Sequence, residues 1–336
     1  DGSTSRALMI NSAKHPKNSK MPDIWFGHGT VDLSTILPMD NSFGVQITQQ
    51  GIQDENHKHS LLTKGHVIGK IKVDLGKYKE ITKLQITMSY IDSLLSTDSI
   101  IPLTRDLDMI VVSPSNKIYV GDHLDNKDTQ HASTNEKVII DEKDIESGEY
   151  TVHVYGGNFI DEDVQDNPKR QLFSVVATGP IENGYIEFAD SEECPCEKCD
   201  PNRPGFCLCE NGEVDQICQT KVDVTSEKQF DVNVGVLQVQ RIKFTGNKKI
   251  KAVVSKSTYP GRYATVWVSK KCHLALGEYE VQGLTGSIKE PQVTKIDFGS
   301  KEICVAIFND NDMEASYSVE VVYDSESNSK KAGIIA

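Results

Sequence analysis

The chain has 336 residues, of which 38% are hydrophobic, and a formal net charge of −13. That length fits two or three domains of roughly 100–200 residues each, and the low hydrophobic share suits several small β-rich modules better than one large core. The acidic balance speaks against nucleic-acid binding, which needs a basic footprint, and no run of about 18 apolar residues is available to span a bilayer.

The chain opens at Asp1 with neither Met nor a signal peptide, which reads as a processed product or a fragment. The first predicted element is a helix in "SRALMINSAK", Ser5–Lys14. Ala7, Leu8, Met9 and Ile10 run together and Ala13 follows one turn later, so the helix is apolar nearly all round and belongs inside something. With a Gly-rich tail it forms a first piece, residues 1–39. Residues 40–185 read as strands. "DLDMIVVS" (106–113) is a β-rich run, "SPSN" is a turn, and "KIYVGD" follows. In "GEYTVHVYGG" (148–157), Tyr150, Val152 and Val154 alternate with Thr151, His153 and Tyr155, and "QLFSVVATG" (171–179) is another apolar run. Short strands separated by turn signals read as a β-sandwich or jelly roll.

Residues 186–222 hold six of the eight cysteines, in "CPCEKCDPNRPGFCLCENGEVDQIC", Cys194–Cys218. A stretch so poor in apolar residues cannot build a core, so cross-links must replace it. The rival reading is a zinc site, because Cys-x-Cys and Cys-x-x-Cys can hold that ion; against it, the cluster has no histidine and lacks zinc-ribbon spacing. Residues 223–325 are strands again, from "QVQRIKFTG" to "ASYSVEVVYD", and read as a second β-sandwich. Cys272 and Cys304 lie there on separate β-like segments and are expected to pair. Residues 326–336 are a polar tail. Cross-linked cysteines place the chain in an oxidising compartment, extracellular or at the cell surface. The fold class is therefore mainly β.

The cysteine segment resembles an EGF-like module in its second half, where Cys207-x-Cys209 is followed by Cys218. Its first half departs from that pattern, since Cys194-x-Cys196 is too tight. Among the 15 pairings open to six cysteines, the resemblance implies Cys194–Cys199, Cys196–Cys207 and Cys209–Cys218.

The opening stretch, followed by "FGHGTVDLSTIL" (26–37), resembles the last elements of the catalytic domain of subtilisin-like serine peptidases. In that family a late helix of the form "ALMNSA" precedes a "GxGxVNL" turn. Gly27, Gly29, Val31, Asp32 and Leu33 stand at the matching places. "TRDLDMIVVSPSNKIYVGDH", "STNEKVIIDEKDIESGEYTVHVYGG" and "QLFSVVATGPI" then resemble, in order, the C-terminal jelly roll attached to one branch of these peptidases. The likeness covers residues 6–180, about half the chain. The last module is more weakly similar to accessory β-sandwiches appended to secreted peptidases. The resemblance implies that residues 1–39 are the end of an α/β catalytic domain, that the partner is the upstream catalytic domain or fragment, and that the parent peptidase acts on protein substrates.

The family's nucleophile, base and orienting carboxylate must act together, and no such triad can be assembled here. "GHGTVDL" shares His28-Gly29-Thr30 with the family's His motif, but it follows the late helix and lacks the helix that should come next. "DGSTS" is similar to the nucleophile motif, yet "ALMINSA" follows directly; Ser3, Thr4 or Ser5 reads more simply as a helix N-cap. No catalytic residue is assigned. Asp106 and Asp108, two apart and so on one strand face, and Asp122 after the hairpin are candidate ligands for calcium, which takes six to eight oxygens. Jelly rolls of the related branch can bind calcium. "DEDVQD" (161–166) and "NDNDME" (309–314) are further oxygen-rich turns.

Two functions fit. One is the non-catalytic C-terminal portion of a secreted or surface subtilisin-like endopeptidase. The alternative is a stand-alone adhesion or carbohydrate-binding β-sandwich protein. Residues 6–37 discriminate, because an adhesin has no use for that helix and turn. The first reading expects Leu8, Met9 and Ile10 to be incompletely covered.

Overall fold

The computed structural model describes residues 2–14, 27–38, 42–48, 60–61, 65–78, 83–92, 103–122, 133–157, 170–209, 214–218, 222–235, 239–272, 280–287, 289–309 and 314–324. The turn 161–166, most of the turn 309–314 and the tail 326–336 lie outside them. The chain forms two compact units, 1–219 and 220–336.

In the first unit the helix α1 (Gly2–Ser12) leads into β1 (Ala13–Lys14), which pairs with β2 (Thr30–Val31). The strands β3 (Gly44–Thr48), β4 (Ser60–Leu61), β5 (His66–Val73), β6 (Leu84–Tyr90), β7 (Leu107–Val112), β8 (Ile118–Val120), β9 (Asn135–Ile140), β10 (Gly148–Gly156), β11 (Gln171–Gly179), β12 (Gly184–Ile186) and β13 (Phe188–Asp190) follow. They build two facing sheets, ordered β13-β5-β10-β7-β8 and β12-β3-β11-β6-β9, with β4 on β11. This is a jelly-roll sandwich. The strands alternate, so one set of side chains meets between the sheets. Leu107, Met109 and Val111 of β7, Tyr150, Val152 and Val154 of β10, and Phe173 and Val175 of β11 share that core. Strand pairing carries the sandwich to Asp190, past 185, because β12 runs along β3 and β13 along β5.

The opposite face of the first sheet is also buried. Ile110, Val112, Val120 and Tyr155 pack there against Phe206 and Ile217 of the cysteine segment. His153 and Tyr155, the outward set in the alternation of β10, are 2% and 0% exposed. The segment itself holds the short pair β14 (Cys207–Leu208) and β15 (Val214–Asp215). Its disulfides join Cys194 to Cys199, Cys196 to Cys207 and Cys209 to Cys218. Phe206 and Ile217 seat the segment on the sandwich face, which serves as their core, while the disulfides hold its own shape.

The helix reverses the expectation drawn from its composition. Its buried residues are Ser3, Ala7, Asn11 and Ser12, a small and polar set. Ser3, Ala7 and Asn11 are spaced by four, so they share one face. That face lies on the outer side of the second sheet, where Thr87, Ser89 and Ser174 are polar and fully buried. Ser3 Oγ meets Ser174 Oγ at 2.8 Å, and Thr4 Oγ1 meets it at 3.0 Å. Ser3, Thr4 and Ser5 are thus not N-caps, because the helix already begins at Gly2 and the Ser3 and Thr4 hydroxyls turn to the sheet. Leu8 and Ile10 are only partly buried and Met9 is 50% exposed. A buried polar group must be hydrogen-bonded, and the sheet's outer face supplies the matching groups, so the polar stripe goes in and the apolar one stays out.

The second unit contains β16 (Val222–Thr225), β17 (Gln229–Val234), β18 (Val239–Thr245), β19 (Ile250–Ser257), β20 (Thr265–Ser269), β21 (Val281–Leu284), β22 (Gln292–Lys295), β23 (Glu302–Phe308) and β24 (Ala315–Tyr323). These form sheets ordered β16-β18-β23-β20-β21 and β17-β24-β19-β22 around a core that includes Ile242, Phe244, Val305 and Tyr317. The disulfide Cys272–Cys304 ties the end of β20 to β23.

Candidate functional site

Asp106 and Asp108 reach one place because β7 begins between them. Asp122 joins them from the turn after β8, where its φ of 55° is left-handed; short polar side chains such as Asp tolerate that region best. A fourth carboxylate was not among the sequence candidates. Glu136 lies on β9 and is fully buried, with Oε2 accepting the Met109 N–H at 2.6 Å. Its signal was present: in "NEKVII" it occupies the inward position two before Val138, where an apolar residue belongs. The carboxylate fills the space beside Gly121. A Cβ at that glycine would lie 2.5 Å from Glu136 Oε2.

Three of the carboxylates, Glu136 included, are tied to different parts of the unit. Asp108 Oδ2 accepts from Gln216 Nε2 at 2.8 Å, linking β7 to the cysteine segment. Asp122 Oδ1 accepts the Lys137 N–H at 3.0 Å. His28 Nδ1 stands 3.9 Å from that same oxygen, so the decoy histidine of the Gly turn faces the acidic cluster. Burial is the dominant electrostatic fact. It pushes the Asp122 carboxyl up to about 8, against the pull of Lys137. Glu136 is pushed well above the usual carboxylate range, first by burial and then by the Asp108 and Asp122 charges. Buried charge of one sign must be neutralised by protons or by a cation.

The donor chemistry fits a hard divalent cation. All four groups are carboxylates, and Asp122 Oδ2 and Glu136 Oε1 are buried without a hydrogen-bond partner among the described residues. The spacing is not that of a closed cage: among the described residues no three of these groups bring ligand atoms within 4.8 Å of one another. The group that does so is Cys196, Cys207 and Cys218, and all three sulfurs are held in disulfides. The zinc reading of the cysteines is therefore set aside, since it is the thiolate that ligates.

No family model matches the chain, and no curated protein matches it. Among solved structures, the chain aligns with the CUB1-EGF-CUB2 domains of human MASP-1/3 at 11% identity and a TM-score of 0.19, covering 84% of this chain and 100% of that one. It aligns with the PBSX exported protein XepA at 11% identity and a TM-score of 0.22, covering 83% and 86%. The same domains of rat MASP-1 align at 10% identity and a TM-score of 0.20, covering 83% and 97%. At such TM-scores the alignments establish no common fold for the chain as a whole.

Proposed function

We propose that this chain is the non-catalytic C-terminal portion of a secreted or cell-surface subtilisin-like serine endopeptidase. Its jelly roll braces the catalytic part through α1, and its remaining modules serve as accessory binding surfaces for protein substrates. The observation that carries the reading is the orientation of α1. The helix is gripped on its polar side by the sandwich, and Met9 is 50%, Val31 48%, Leu33 54% and Leu37 49% exposed around it. Exposed apolar side chains on the helix and on the strand and turn that follow it are of the kind that mark an interaction site. The upstream catalytic domain is the partner that the motif order of residues 6–37 supports.

In this reading Asp106, Asp108, Asp122 and Glu136 would hold calcium, which would supply the positive charge that neutralises the cluster. The buried, unbonded oxygens of Asp122 and Glu136 support that assignment. The deciding experiment is to read the transcript upstream of Asp1. In-frame Asp, His and Ser motifs of a subtilisin-type catalytic domain are expected. An unrelated domain joined directly to Asp1 would overturn the reading in favour of an adhesion or carbohydrate-binding protein.

A further inference from the structure

His66 opens β5, and His153 lies beside it on β10, both on the sheet face covered by the cysteine segment. Their ring centroids are 5.3 Å apart and stacked, and His66 Nε2 is 3.0 Å from His153 Nδ1. His66 Nδ1 is 3.2 Å from the main-chain oxygen of Ser191. The segment closes over the pair. Gly205 has a φ of +80°, and a Cβ there would sit 2.1 Å from His66 Nδ1. The Tyr155 hydroxyl donates to the Gly205 oxygen at 2.9 Å, and the Phe206 ring stands edge-on to Tyr155 at 5.0 Å.

These bonds assign the protons. A main-chain oxygen only accepts, so His66 carries its proton on Nδ1. With both rings kept neutral by burial, its Nε2 is bare and accepts from His153 Nδ1–H. A proton added to His66 Nε2 would face a donor unless His153 changes tautomer. A second added proton would set two cations against each other in an apolar seam.

We propose that His66 and His153 form an acid-sensitive latch that releases the cysteine-rich segment, residues 191–209 and 214–218, from the sandwich while the sandwich keeps its strands. Among the described residues the charged groups near the latch include the Arg203 guanidinium, 3.7 Å from the centre of the Phe206 ring. Asp190 on β13 faces His66 and favours its protonation. Asp108 on β7 and Asp215 on β15 act on Tyr155, between the latch and Phe206. The charge acting on His153 is that of His66 itself. Burial outweighs the carboxylates and holds His66 down at about 4 and His153 at about 3. Lifting the segment returns both rings to water and to their ordinary value of 6.5. The released form therefore binds more protons below pH 6.5, so docking is complete above that pH and weakens as pH falls toward 4. Each pH unit in that window shifts the opening equilibrium about tenfold per histidine.

The test is hydrogen exchange by NMR on the full chain, from pH 7.5 to 4.5, corrected for intrinsic exchange. The Tyr155 hydroxyl proton, bonded across the seam to the Gly205 oxygen, should exchange steeply faster below pH 6.5, while the amides of β6 and β11 in the same sandwich hold. His153→Asn keeps an N–H donor but cannot take a proton, and should reduce the slope by about one tenfold step per pH unit. Unchanged protection across the range overturns the latch. So does a slope that His153→Asn leaves intact, since carboxylates would then carry it. Ring titration of the wild-type histidines gives a check that needs no variant: two rings titrating near 6.5 in the docked chain would also overturn it.

Discussion

The Lys137 ammonium lies 3.0 Å from the main-chain oxygen of Asn11. It also donates to the oxygens of Ile10 at 2.9 Å and Ala13 at 3.1 Å. A cation is thus set among the carbonyls that a helix end leaves open, at the negative pole of its dipole. Asn11 returns the grip. Its amide nitrogen reaches the Gln85 and Val176 oxygens and Thr87 Oγ1, each at 3.2 Å, and its oxygen accepts from Thr178 at 2.8 Å. The helix is clamped to the sheet by polar groups from both sides.

Lys137→Met should loosen α1 without dismantling the sandwich core. Hydrogen bonds to a charged group contribute about 1.5–3 kcal/mol, and three carbonyls lose theirs together, so a loss of about 3 kcal/mol in the first unit is expected. Urea unfolding measures it, and amide exchange over residues 2–12 should rise most. A variant as stable as the parent would show that the clamp is ornamental.

Asn11→Leu keeps the branched shape and removes four hydrogen bonds from a fully buried place. The expected cost is about 3 kcal/mol, from strand carbonyls and hydroxyls left without their partner. The contrast is Met9→Ser on the exposed side of the same helix, expected within about 0.5 kcal/mol. Equal effects at the two positions would mean the helix face has been misassigned.

Without an upstream partner the exposed apolar side chains of Met9 and Leu33 should drive self-association at high protein concentration, and the double variant Met9→Ser, Leu33→Ser should reduce it, read by light scattering. Its thermal midpoint should hardly move, because both side chains are about half exposed or more. Undiminished association would remove the apolar patch as the cause.

Calcium should raise the unfolding midpoint of the first unit. A single site at a hundredfold excess over its Kd adds about 2.7 kcal/mol. The pH trend follows from Asp122: its folded value, about 8, lies above its ordinary 3.8. Without cation the folded form holds the extra proton, so stability is lost as pH rises through that window. With calcium bound the carboxylates stay ionised and the loss should shrink. Glu136→Gln should weaken the calcium effect. Equal midpoints in calcium and in chelator at pH 8 would dismiss the site.

Reduction should unfold residues 194–218 while both sandwiches keep their strands. Each disulfide in a small module contributes about 2–5 kcal/mol, and Phe206 and Ile217 alone cannot hold the segment in place. Far-ultraviolet circular dichroism that collapses on reduction would contradict this.

Much of the architecture was legible in short stretches. The alternation of "GEYTVHVYGG" names the strand and the three residues that enter the core, because a strand's side chains must point to opposite faces. The crowding of cysteines in a stretch with little apolar content signals cross-linking for want of a core. Asp106 and Asp108 share a strand face by the same period. Glu136 was readable only as a charged residue in an inward position, a signal that gains meaning once β9 is known to face the β8 turn.

What the sequence determined by itself is local: the strand faces, the turns and the need for disulfides, all set by neighbours within a few residues. Which side of α1 is buried, and that His153 and Tyr155 are covered, were decided by tertiary structure alone. Each depends on a surface contributed from far along the chain: Ser174 and Thr178 for the helix, Gly205 and Phe206 for the histidine pair. Composition ranks Leu8, Met9 and Ile10 as the residues to bury. The sheet beneath the helix offers hydrogen bonds instead of an apolar floor, and a buried polar face must be answered in kind.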